Sequence, residues 1–165
     1  MDVMYDSQKN MAEAASARPC PVTRRVELLR MSMPADARFV SFARRAVQGV
    51  ASQLRLDDNA SADILLALGE ACNNAVLYGA QMPSSPVTVT AALCTFGPST
   101  WMEIEIRNHG AGFSHPITGE DFIMPPAEQF AEHGRGLPLM HTLVDEVEFL
   151  VDGADTVVRL VQKLP

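Results

Sequence analysis

Positive charge is scarce in this chain: 13 Lys and Arg stand against 20 Asp and Glu, a formal net charge of −7 with a pI near 5.0. A nucleic-acid surface is thereby excluded, because phosphate-backbone binding draws its affinity from a basic patch and counterion release. Any anion this protein binds must be held by a local arrangement of donors. Cysteine is equally scarce. Cys20, Cys72 and Cys94 are odd in number and widely spaced, without a C-x-x-C pair, which argues against a disulfide or zinc framework and fits packing residues in a reducing cytosol. Met1 to Thr23 lacks a continuous apolar run and contains Asp2, Asp6, Lys9 and Glu13, so it is expected to be a mobile tail and neither a signal peptide nor a membrane anchor. No internal repeat is visible. What the chain has in quantity is apolar residues, 47% of 165, enough for one compact domain with a real core and too few residues for a second. That domain is expected to run from residue 24 to 165.

The apolar pattern changes period along the chain. Residues in VELLRMSM, within Arg24 to Met33, alternate as in a strand, and Pro34 stands where a helix can begin. Phe39, Phe42, Ala46, Val47, Val50 and Leu54 then recur at helical spacing, with Arg38, Arg44, Arg45 and Gln48 between them. This amphipathic helix has apolar surface available for the sheet or for a partner. Asp57 or Asp58 can cap a second helix whose stripe is Ile64, Leu65, Leu68, Cys72, Ala75 and Val76 and whose stop is Gly79. Val87 to Phe96 and Thr100 to Arg107 read as a hairpin about Gly97, Pro98 and Ser99. From Asn108 to His133 the composition turns to Gly, Pro, His and polar residues, the mark of a lid or binding loop. A short helix from about Gly136 to Val144 follows, then a second hairpin about Asp152 and Gly153. The order is strand, two helices, two strands, lid, helix, two strands. It predicts an α/β (α+β) two-layer sandwich, a mixed, mostly antiparallel sheet with helices on one face, and not the strict alternation of a Rossmann fold.

Three segments concentrate polar and glycine residues. Glu70 and Asn74 lie one turn apart on the second helix, with Asn73 and Leu77 beside them, so a carboxylate and an amide form a notch on an otherwise apolar helix. They read equally as an exposed polar stripe or as a pair facing a ligand. RNHGAGF, Arg107 to Phe113, leaves a strand with Gly110 and Gly112 two residues apart, which permits close approach of backbone to a flat ligand or merely a tight turn. HGRGLPLM carries Gly134 and Gly136 into a helix, whose unpaired N–H groups and dipole can hold phosphate even in an acidic protein.

Together, the stretches LGEACNNAV, IRNHGAGF and GRGLPLMHTLVDEVEF have the order and spacing of the N, G1 and G2 boxes of the GHKL superfamily. The chain resembles bacterial anti-sigma-factor serine/threonine kinases, stand-alone members of that superfamily, over roughly Arg24 to Leu164. The resemblance implies a Bergerat, histidine-kinase-like ATPase fold that uses ATP and Mg²⁺. It makes Glu70 the general base, Asn74 the magnesium ligand, Gly110 and Gly112 the adenine-side loop, and Gly134, Arg135, Gly136 and Leu137 the phosphate loop, with Arg135 a triphosphate contact. Thr156 matches the threonine that supports the adenine pocket from a neighbouring strand. Mg²⁺ shares its oxygen octahedron with phosphates and water, so one amide oxygen is an adequate protein contribution. The activity implied is phosphorylation of a serine on a small anti-anti-sigma partner of the STAS type, together with sequestration of an RNA polymerase sigma factor. That is a cytoplasmic role in transcription regulation and stress response. The family also pairs through the region corresponding to Pro34 to Leu54, which implies a homodimer.

Two positions depart from the family pattern. Asn108 stands where the G1 box normally has aspartate and bears on adenine recognition; Tyr78 stands where the N box often ends in histidine. Asn108 supports a second reading, a nucleotide-responsive or nucleotide-free partner-switching module without kinase activity, while Glu70 and Asn74 oppose it. His109, His115 and His133 flank the lid but match no compact zinc spacing. None has the acidic helical context of a phospho-accepting histidine, and no dimerisation helix pair precedes the ATP-binding region, so a sensor histidine kinase is not expected.

Overall fold

The computed structural model describes residues 24–79, 85–109 and 136–165, apart from the side chains of Tyr78 and Leu137. The expected tail, 1–23, and residues 110–133 of the expected lid lie outside the described residues; Asn108 and His109, read as the start of that loop, instead continue the third strand, where they pair with Thr156 and Asp155. Five strands, β1 (Arg24–Pro34), β2 (Pro86–Phe96), β3 (Ser99–His109), β4 (Glu146–Asp152) and β5 (Asp155–Lys163), form one sheet in the order β1-β2-β3-β5-β4. The expected mostly antiparallel sheet is antiparallel at each of its described pairings. Among the described residues three helices accompany it: α1 (Val40–Gln53), preceded by a 3₁₀ turn at Ala37–Phe39, α2 (Asp58–Gly79) and α3 (Gly136–Leu143).

Local chemistry accounts for the element ends. The first helix does not begin at Pro34, which is instead the last residue of β1 and pairs with Pro86. An edge strand tolerates a proline's missing donor, and the helical turn starts where the Asp36 carboxylate can accept the Arg38 N–H at 2.9 Å. Asp57 caps α2 by accepting from Ala60 N at 2.9 Å. In the first hairpin Phe96 pairs directly with Ser99, leaving a two-residue turn. Gly97 has φ 54° and Pro98 is fixed at negative φ, so the turn is of the II′ kind that matches strand twist. The second hairpin turns at Gly153, φ 64°, between the paired Asp152 and Asp155.

Side-chain alternation divides the sheet into two unlike faces. On one, Met33, Val87, Val89, Ala91, Met102, Ile104, Ile106, Val158 and Leu160 join Ile64, Leu68 and Cys72 of α2 and Ala43 and Val47 of α1 in a single core. The buried stripe of α1 is Val40, Ala43, Val47, Val50 and Ala51. Phe42, read from spacing as part of that stripe, is 56% exposed; one residue from Ala43 it is turned about 100° away and its ring rests 6.0 Å from that of Phe39. Of the six stripe residues expected on α2, Leu65 and Val76 are only half-buried. The other sheet face bears charge. Glu103, its side chain only 4% exposed, lies 2.8 Å from Arg25 and 3.6 Å from Arg159, and Arg159 reaches Glu105 at 2.8 Å and Glu148 at 2.6 Å. This lattice crosses four strands and was not legible in the sequence, because it depends on β3 lying against β5 rather than β4.

Candidate functional site

The site is built where α2, α3 and the ends of β3 and β5 meet. Glu70 and Asn74 lie in the second half of α2, both half-buried. Gly136 is the first residue of α3, and it fits there because it has no side chain: a Cβ would lie 3.0 Å from Glu70 Oε2, 3.5 Å from Asn74 Nδ2 and 3.7 Å from Asn74 Oδ1. The structure therefore brings together two segments 62 residues apart in the chain, Asn74 and Gly136, that were read separately from the sequence. Among the described residues, no side-chain hydrogen bond ties down either the Glu70 carboxylate or the Asn74 amide. Oxygen atoms on α2 thus face the N-terminus of a helix, where the exposed N–H groups and dipole favour an anion.

The second part lies on the sheet. Asn108, the penultimate residue of β3, stands directly opposite Thr156 near the start of β5. By parity both continue the helix-facing rows Ile104, Ile106 and Val158, Leu160, so polar groups take over where the apolar core ends. Asn108 is 6% exposed and Thr156 4%, and Thr156 Oγ1 is buried with no hydrogen-bond partner among the described residues. A buried hydroxyl without a partner is uncommon in a folded protein and fits a place completed by a ligand. On the opposite face the strand ends are clamped together. Asp155 accepts from Arg107 Nη1 at 3.0 Å and lies 2.8 Å from His109 Nδ1, while Arg107 also reaches Asp152 at 2.8 Å. The His109 and Arg107 hydrogen bonds hold the Asp155 carboxyl below its usual range. Sequence reading missed this clamp; its signal, Asp155 across from His109, appears only once the β3–β5 register is known.

Of the remaining positions expected to contribute, Gly110, Gly112, Gly134 and Arg135 lie outside the described residues, and Leu137 is placed in α3 by its backbone alone. Among the histidines once weighed for metal, His109 is taken up by Asp155, and His115 and His133 are outside the described residues. Among the described residues, one surface depression of about 350 Å³ is lined by Asp57, Asp63, Thr142, Asp145 and Gln162 and shares no residue with the site. Its acidic lining is unsuited to a phosphate chain. No helix among the described residues is long and apolar enough to cross a membrane.

The donor set fits a magnesium nucleotide: an amide oxygen that could hold the metal, a helix N-terminus that could hold phosphates and a buried polar pair that could meet a base. The chain is 28% identical over 135 residues to the serine-protein kinase RsbW of Bacillus mycoides (strain KBAB4), covering 79% of this chain and 82% of the relative. It is likewise 28% identical over 137 residues to the serine-protein kinase RsbW of Bacillus cereus (strain ATCC 10987 / NRS 248), covering 81% and 83%. Among solved structures it resembles the crystal structure of the RsbU and RsbW domains of Rv1364c from Mycobacterium tuberculosis, with TM-score 0.59 and 20% identity. That likeness covers 86% of this chain and 33% of the longer one, and at this identity it speaks to the fold alone. Residues 33–162 match the family of the histidine kinase-like ATPase domain, and the chain belongs to that family.

Proposed function

We propose that this protein is an anti-sigma-type serine kinase, binding ATP with Mg²⁺, phosphorylating a serine on a STAS-type anti-anti-sigma partner and, in its other state, sequestering a sigma factor. The observation that carries the reading is the convergence of Glu70 and Asn74 on the Gly136 Cα. It supports a chemistry in which a base, a metal-binding amide and a phosphate-binding helix end share one small space.

Each residue then has a task. The Asn74 amide oxygen takes one place on the metal, and the α3 N-terminus from Gly136 receives phosphate oxygens, with Gly134, Arg135 and Leu137 assigned to the same loop. Gly110 and Gly112 are assigned to the adenine side, and Asn108 and Thr156 to the polar edge of the base. When bound, MgATP supplies the transferable phosphoryl group and neutralises its charge. Glu70 accepts the proton of the attacking serine hydroxyl, a role worth roughly 100-fold or more in rate. The exposed face of α1, with Phe42 56% exposed and Arg45 three residues on, is assigned to homodimer or sigma contact.

The test is incubation of the protein with γ-labelled ATP, Mg²⁺ and a STAS protein encoded beside it. Label on a partner serine is the expected result. Nucleotide binding or STAS binding without label would favour a partner-switching module that lacks phosphotransfer, the reading to which Asn108 lends itself.

A further inference from the structure

A base pocket can be selective only if its hydrogen-bonding groups have a fixed sense. Among the described residues, no hydrogen bond sets that sense for Asn108 or Thr156. They face each other across β3 and β5, on the side of the sheet that carries the helices, in a row whose other members include Met33 and Val87. Met33 and Val87 belong to the buried core, so the polar pair stands at its apolar edge, a setting suited to a flat heteroaromatic ring. Both polar residues are buried, Thr156 Oγ1 has no partner, and no side-chain hydrogen bond to a described residue sets the direction of the Asn108 amide. The two are not even bonded to each other, although directly opposed side chains in an antiparallel pair have Cβ atoms roughly 5 Å apart.

We infer that this pair reads the 6-position of a purine in either sense, so that the site takes 6-oxopurine nucleoside triphosphates as well as ATP. The inference rests on the nucleotide-site reading above and deepens it. A 6-aminopurine presents a donor at N6 and an acceptor at N1; a 6-oxopurine presents an acceptor at O6 and a donor at N1. An amide carries one acceptor and one donor side by side, and a half-turn about its terminal bond exchanges them. Asn108 matches the first pattern in one orientation and the second in the other. The Thr156 hydroxyl can donate or accept, so it follows the amide in both cases. A carboxylate at position 108 would only accept: it would take the N6 donor and repel O6. The asparagine is therefore the residue that removes discrimination at this atom, and a carboxylate restores it.

Inosine triphosphate is the appropriate probe, because it differs from ATP only at the 6-position and the N1 proton. Calorimetry of the full-length protein with Mg²⁺ and each nucleotide should give dissociation constants within about tenfold of one another. Asn108→Asp should widen the gap to about 100-fold or more, by loss of inosine triphosphate binding. Thr156→Val, which removes the hydroxyl and keeps the shape, should weaken both nucleotides together. Wild-type protein that binds ATP but binds inosine triphosphate at least about 100-fold more weakly overturns the inference and leaves the nucleotide site standing. Binding of neither nucleotide at millimolar concentration overturns the nucleotide site itself, and the inference with it. The wild-type comparison decides the matter even if the aspartate variant does not fold.

Discussion

Gly136 is the residue on which the site geometry turns. Its backbone carries no positive φ, since among described glycines only Gly97 and Gly153 do, so alanine is compatible with the first position of the helix. What alanine cannot do is leave Glu70 Oε2 where it is, 3.0 Å from the new methyl group. The carboxylate is the end of a flexible side chain and will move by a few tenths of an ångström. Gly136→Ala is therefore expected to keep or raise the thermal midpoint while slowing phosphotransfer by about tenfold or more, because small misplacements of a reacting group are costly. A variant that is equally active, or one that melts markedly lower, would mean that Gly136 serves the turn rather than the site. Cys72, by contrast, is purely a packing residue. It is fully buried in the core, and burial pushes its thiol up to about 12, far from the range of a reactive cysteine.

At the scale of elements, α1 has one face committed and one free. Val47 and Ala43 are wholly buried, whereas Phe42 presents its ring to solvent beside arginines. Phe42→Ser should change the urea midpoint by no more than about 0.5 kcal/mol equivalent, as surface substitutions do, and should weaken self-association or sigma-factor binding measured by sedimentation. A large loss of stability with binding intact would place Phe42 in the core instead. The same helix shows what sequence could and could not disclose. Period and caps were legible: Asp57 caps α2, Gly97 and Gly153 make the hairpin turns, and the element order follows. Phe42 and Pro34 were misassigned because hydrophobicity reports a preference for burial and proline a preference for certain φ, and neither says which neighbour will be present. Glu70, Asn74 and Gly136 were singled out as residues of separate segments, and the structure sets them side by side. The Arg107, His109 and Asp155 clamp was not foreseen, since no local signal in the chain sets β5 beside β3.

For the whole molecule, acid is the expected point of weakness. Burial depresses the His141 pKa below its ordinary value of 6.5, so the unfolded chain takes up a proton more readily than the folded one. Its contribution to stability is full above the ordinary value and is lost as the pH falls toward and through the folded value. Asp155, depressed by His109 and Arg107, has the same sign but acts at lower pH. Chemical denaturation at about pH 7 and about pH 5 should show a drop in wild type that His141→Phe reduces; an undiminished drop would assign the acid sensitivity to other groups. The proposed function, too, is a property of the assembled molecule, because α2, α3 and two strands must meet before Asn74 and Glu70 could take the roles assigned to them. The most direct test is the single-turnover rate at which the γ-phosphoryl group of ATP reaches the serine of the STAS partner, in wild type and in Glu70→Gln at saturating nucleotide. The account predicts transfer by the wild type and a rate lower by about 100-fold or more in the variant, with nucleotide affinity retained. Equal rates in the two proteins would contradict it.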